Sequence, residues 1–152
     1  MTPEPTLRPA IAADVPALRD LAERAYGVYV ERIGRRPAPM NDDYGEKLRI
    51  AEVFVADDGG GVVGLIVLIP AADHVLIENV AVDPARQGAG IGRALLNLAE
   101  VYAGERGIDE LRLYTNVTMV ENIRLYTRLG YRETGRETTA AFRRVNFSKR
   151  LN

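Results

Sequence analysis

Apolar and polar positions along this 152-residue chain recur with two periods, and the switches between them mark out its elements. Thr6–Arg8 reads as a short first strand. Leu18, Leu21, Ala22 and Ala25 then follow at helical spacing, with Asp14 as the expected N-cap and Pro16 in a first turn where its missing N–H costs little. Gly34 and Pro37-Ala38-Pro39 break the helical stretch. A second helix is expected behind Asn41 or Asp42 as its cap, with Tyr44, Leu48 and Ala51 on one face. Val53–Ala56 and the continuous apolar run Val62–Ile69 flank the turn Asp57-Asp58-Gly59-Gly60-Gly61, which predicts an antiparallel hairpin. Val75–Val82 is a further strand.

In the second half, Leu95, Leu96, Ala99 and Ala103 form one face of a helix ended by Gly107. Glu110–Tyr114 reads as a strand. Thr118–Arg128 reads as a helix stopped by Gly130 at C′, and Tyr131–Glu137 and Phe142–Ser148 as two last strands. The order is strand, two helices, three strands, helix, strand, helix, two strands. It predicts a mixed α/β fold, a mostly antiparallel sheet flanked by helices with one βαβ crossover. Loops are short and no linker stands out, so residues 1–152 are expected to form a single domain.

Composition narrows the chemistry. The chain is 47% hydrophobic and 27% charged, ordinary for a globular protein with a core. A formal net charge of −1 gives no electrostatic case for a nucleic-acid partner. The absence of cysteine removes disulfides, thiolate metal sites and a cysteine nucleophile. The single histidine, His74, is read as a loop residue at a strand entrance, and no metal is expected. No 18-residue apolar run or signal-peptide pattern occurs, so the expected compartment is the cytoplasm, with no membrane partner.

The stretch from Val80 to Leu96 carries the most chemistry. An apolar strand ends at Asp83-Pro84, glycines follow, and an amphipathic helix begins. Glycines let backbone N–H groups approach a ligand closely, and a helix start adds unpaired donors and partial positive charge. Together they form an anion site. A plain tight turn, a dinucleotide fingerprint and a coenzyme A pyrophosphate loop all fit such a stretch. The spacing of Gly88, Gly90 and Gly92 is G-x-G-x-G, which departs from the dinucleotide pattern, and no Gly-Lys-Ser/Thr is present.

Gln87-Gly88-Ala89-Gly90-Ile91-Gly92 resembles the Q/R-x-x-G-x-G/A motif of the GNAT superfamily of N-acetyltransferases. Ile77–Pro84 looks like the family's fourth strand. Asn122, Tyr126 and Gly130-Tyr131 are similar to its downstream signature. The resemblance implies a GNAT acyl-CoA N-acyltransferase fold from end to end. It implies acetyl-CoA as co-substrate and acetyl transfer to a primary amine of a small molecule, peptide or protein by direct attack. A non-catalytic acyl-CoA-binding or sensing module on the same fold is the alternative, and a homodimer is left open.

By that resemblance, the backbone of Gln87, Gly88, Ala89, Gly90, Ile91, Gly92 and Arg93 takes the pyrophosphate. The main chain of Val80, Ala81 and Val82 pairs with the pantetheine arm, in a slot opened where the strand splays from Glu110–Tyr114. Tyr126 lies near the thioester sulfur as general acid, and Asn122 bonds the coenzyme arm. The plainer readings are a core tyrosine beside Leu129 and a helix-surface or cap asparagine.

Glu78 is the general-base candidate, because it interrupts an apolar strand. Alternation places it on the face of Val80 and Val82, partly buried; the plainer reading is a structural ion pair. The resemblance further implies an acceptor pocket between residues 26–44 and the loop 137–141. Tyr29, Asp42, Asp43 and Tyr44 are its candidate residues, acids and tyrosines suited to a cationic amine. Arg143-Arg144 and Lys149-Arg150 face either the coenzyme's 3′-phosphate or nothing.

Overall fold

The computed structural model describes residues 4–152. Its sheet has seven strands: β1 (Thr6–Pro9), β2 (Glu52–Asp57), β3 (Val62–Pro70), β4 (Val75–Val82), β5 (Glu110–Asn116), β6 (Arg132–Thr138) and β7 (Arg143–Arg150). The spatial order is β1-β2-β3-β4-β5-β7-β6. Every neighbouring pair is antiparallel except β4–β5, which is parallel and joined by the long helix α5 (Ile91–Glu105). Parallel neighbours need such a crossover. The mixed, mostly antiparallel sheet is the one the pattern predicts.

Helices α1 (Val15–Gly27), α2 (Val30–Ile33), α3 (Ala38–Asn41) and α4 (Tyr44–Ile50) precede β2, and α6 (Val120–Arg128) follows β5. Two cores sandwich the sheet. Leu18, Leu21, Ala22 and Tyr44 pack against Val53, Val55, Leu65 and Ala81 on one face. Ile91, Leu95, Leu96, Ala99 and Tyr126 pack against Ile66, Ile77, Leu111 and Leu113 on the other. Covered on both faces, β3 is a continuous apolar run rather than an alternating one. No helix among the described residues is long and apolar enough to cross a membrane.

Three local expectations need correction. Asp14 does not cap α1: it has helical backbone angles at the end of a 3₁₀ turn over Ala12–Asp14. Its buried carboxylate instead reaches back to accept the Ile11 N–H at 2.8 Å and both Arg8 guanidinium nitrogens at 2.8 and 3.0 Å. Those Arg8 bonds outweigh burial and hold the carboxyl below the usual carboxylate range.

Between Gly34 and Pro39 the chain does break, yet it turns helically on either side as α2 and α3. Gly34 closes α2 at φ +83°, a conformation other residues reach at a cost. Asn41 belongs to α3 and Asp42 is extended, so the cap of α4 is Asp43, whose Oδ1 accepts the Glu46 N–H at 3.1 Å.

Candidate active site

β4 and β5 pair only over Val75↔Leu111, Leu76↔Arg112 and Ile77↔Leu113. Beyond Ile77 they separate, and the β4 edge from Glu78 to Val82 has no strand beside it on that side. On the other edge, the register against β3 steps from Leu68↔Ile77 to Val67↔Asn79, leaving Glu78 as the extra residue of a β-bulge. The bulge resets the alternation. Ile77, Val80 and Val82 belong to the core under α5, whereas Ala81 belongs to the core under α1.

Glu78 therefore does not share the face of Val80 and Val82, as strict alternation predicts. It points with Asn79 toward the α1–α4 side and pairs with Lys47 of α4. Burial pulls the Lys47 ammonium down, but Glu78 and Asp42 outweigh it and keep the group raised and protonated. The neighbouring Asp42 is pushed up by burial, with Lys47 opposing and Glu78 adding to the rise.

A cleft of about 570 Å³ opens at the splay. Glu78, Asn79 and Val80 line it from β4, Leu113 to Asn116 from β5, and Met119, Asn122 and Tyr126 from α6 and its approach. Tyr126 is 5% exposed, with its ring edge-on to Tyr131 and Phe147, each 5.8 Å away between centroids. Its hydroxyl has no protein partner among the described residues. Burial raises its pKa above the ordinary tyrosine value, so the phenol stays protonated across the neutral range. Asn122, one helical turn earlier, lies half-buried at the same wall; its amide reaches only the Met119 sulfur, at 3.6 Å.

The glycine loop lies beyond the end of the same β4 edge. Gly88 and Gly90 sit at φ +85° and +84°, and α5 begins at Ile91. The first intrahelical bond there runs from Ala94 N to Gly90 O, so the N–H groups of Ile91, Gly92 and Arg93 have no acceptor within the helix. Every residue from Gln87 to Gly90 is exposed. Positive φ explains two of the three glycines. Gly92 differs: a Cβ there would lie 3.6 Å from Val82 Cγ2, an ordinary contact. This combination of free N–H groups, exposed backbone and helix start fits an anionic diphosphate. No group of three or more metal-ligating side chains occurs among the described residues.

On the α1–α4 side, the expected acceptor segments meet the cleft, but through other residues. Tyr29, Asp42, Asp43 and Tyr44 are not among its walls. Tyr44 is 1% exposed beneath it, Asp43 is used as the α4 cap, and the half-buried Tyr29 donates its hydroxyl to Glu121 at 3.3 Å. In their place stand Arg32, Arg35, Arg36, the Pro37-Ala38-Pro39 stretch and Asn41. From the β6–β7 loop come Thr139, Ala141 and Phe142. Arg35 ties the two segments together, donating to the carbonyls of Ala140 at 3.0 Å and Ala141 at 2.8 Å. Lys149 and Arg150 are engaged elsewhere, by Glu100 and Asp109.

Residues 49–133 match the family model described as an acetyltransferase (GNAT) domain. The chain belongs to the GNAT family. It is 30% identical to N-acetyltransferase family 8 member 3 of Rattus norvegicus over 88 residues, which is 54% of this chain and 39% of the relative. It is also 30% identical to N-acetyltransferase 8B of Homo sapiens over 131 residues, 80% of this chain and 56% of the relative. The chain thus spans well under two thirds of these curated relatives. Among solved structures, PaiA N-acetyltransferase from Thermoplasma acidophilum, in complex with coenzyme A, has a TM-score of 0.83 at 17% identity. That match covers 97% of this chain and 99% of that one, and shows the shared fold.

Two residues that hold this GNAT site together escape pattern reading. Asn79 is 4% exposed; its amide donates to the Tyr44 hydroxyl at 3.1 Å and its carbonyl accepts from Tyr26. Tyr44 in turn donates to Pro39 O at 2.7 Å, and Tyr26 also reaches Val80 O at 3.1 Å. This satisfied buried network fixes α1 and α3 on the bulge. Gly64 is the other. A Cβ there would meet Ile91 Cγ2 at 2.9 Å and Leu95 Cδ1 at 3.1 Å. Only glycine lets the first turn of α5 press on β3 and hold the loop in place. A glycine inside an otherwise apolar strand is the signal that marks such an approach.

Proposed function

We propose that residues 1–152 act as one acetyl-CoA-dependent N-acetyltransferase unit of the cytoplasm, moving an acetyl group to a primary amine of a small molecule or peptide by direct attack. The observation that carries this reading is the open β4 edge, with the free N–H groups of the α5 start beyond one end and Tyr126 at the cleft beside it. Family membership supports it, as does a coenzyme A complex of the same fold.

When bound, acetyl-CoA supplies the activated thioester. The backbone of Gln87–Arg93 holds its pyrophosphate, and the free edge at Val80–Val82 offers strand-like pairing to the pantetheine arm. Asn122 bonds that arm as well. Glu78 takes the proton of the acceptor ammonium. For a lysine-like amine near pKa 10.4, deprotonation at pH 7 costs about 4–5 kcal/mol, so a base beside the nucleophile matters. Tyr126 donates to the departing thiolate. A thiol of pKa about 8.5 is the stronger acid of the two, so Tyr126 stabilises the sulfur by hydrogen bonding as the C–S bond breaks.

Glu78→Gln keeps the shape and removes the basicity. Turnover at neutral pH should fall by about 10²-fold or more. Raising the pH should restore part of the rate, because more acceptor is then already neutral. An unchanged pH–rate profile would assign proton removal to water or to Asp42 and leave Glu78 as the partner of Lys47.

The non-catalytic reading separates on one assay. Acetyl-CoA is incubated with a panel of primary amines and free thiol is followed. Amine-dependent thiol release is expected; tight coenzyme binding with no release from any amine would make the chain a sensing module.

A further inference from the structure

The cleft as a whole is strongly basic. Five arginines contribute to its walls, against one carboxylate, Glu78, which Lys47 already neutralises. Most of these cations are committed. Arg32 bonds Glu121, Arg36 bonds Glu23, and Arg35 is spent on two backbone carbonyls. Arg143 shares the β7 face of Val145 and Phe147, toward the α5–α6 core, and so leaves the acceptor face.

Arg144 differs from all of them. Its guanidinium carbon lies over two rings, 3.7 Å from the Phe142 centroid and 4.4 Å from that of Tyr114. Its buried Nε donates no hydrogen bond. Its ion-pair contact among the described residues is Glu137 Oε1, 3.6 Å from Nε. That distance is too long for a hydrogen bond, and Glu137 is half exposed and already accepts from Asn146. Arg144, Tyr114 and Glu78 line the same cleft. An arginine fixed by stacking with donors to spare is prepared for bidentate binding of an oxyanion.

We infer that the acceptor carries an anionic group, a carboxylate or a phosphate, beside its reactive amine, and that the Arg144 guanidinium binds it. This rests on the acetyl-transfer reading and names the substrate class within it. It adds an anionic end to the expected cationic amine: Glu78 serves the ammonium end, and Arg144 holds the other. The remaining arginines raise the local potential without touching the ligand.

The test uses three probes on one carbon skeleton: an amino acid, its primary amide and its aminophosphonate. Dissociation constants are measured by calorimetry on protein saturated with coenzyme A, so the outcome does not depend on turnover. An anionic probe should bind about tenfold or more tightly than the amide, and Arg144→Gln should abolish the difference. Arg144→Lys, which keeps the charge and loses the fork, should retain part of it. Carboxylate or phosphonate is assigned by whichever binds tighter. Equal affinity for anion and amide, or a preference that survives Arg144→Gln in a folded variant, would overturn the inference. Selective anion binding without thiol release from any amine would instead count against acetyl transfer and leave the anion site standing.

Discussion

Gly90→Glu should lower acetyl-CoA affinity by about 10³–10⁴-fold, the largest effect expected from one substitution in this chain. Two costs combine. Gly90 sits at φ +84°, where a side chain costs about 1–2 kcal/mol. The added carboxylate would also stand at the N-terminus of α5, against the pyrophosphate; two like charges about 4 Å apart at a surface repel by about 4 kcal/mol. Nothing lies within 4 Å of the Cβ position, so the variant has room to fold. Gly90→Ala isolates the backbone cost and should lose less. Calorimetric titration reads both, and undiminished affinity in the glutamate variant would remove the loop from the coenzyme site.

Tyr126→Phe should lose about 10²-fold in turnover while its melting temperature and coenzyme affinity stay close to wild type. The ring carries the packing, edge-on to Tyr131 and Phe147, and phenylalanine keeps it. The hydroxyl has no protein partner among the described residues and opens on the cleft, so its removal strands no buried group. Steady-state rates on the best amine acceptor decide the matter. Full activity would reduce Tyr126 to a core aromatic.

The elements that build the frame were legible because their signals are local. Alternating apolar positions, the Asp57–Gly61 turn and the glycines before α5 each act within a few residues. The parallel splay of β4 and β5 matches the slot that the family resemblance implied. What escaped depends on contacts distant in sequence. One inserted residue at Glu78 turned its carboxylate to the other face, and only the β3 register reveals that. The lining on this side differs from the expected residues because the α2–α3 stretch brings its arginines to the cleft, while Tyr44 is buried in the core under α1 with its hydroxyl on Pro39 O. Asp14 lost its capping role to a side chain from β1, a partner no helix rule considers.

The most direct test is a titration of nitrogen-labelled protein with acetyl-CoA, followed by amide resonances. Coenzyme seated along the open β4 edge should shift, saturably, the amides of Val80–Val82 and of Gly88–Arg93, together with the Asn122 side chain. Saturable shifts confined elsewhere, or none at all, would contradict the assignment of this slot to the coenzyme.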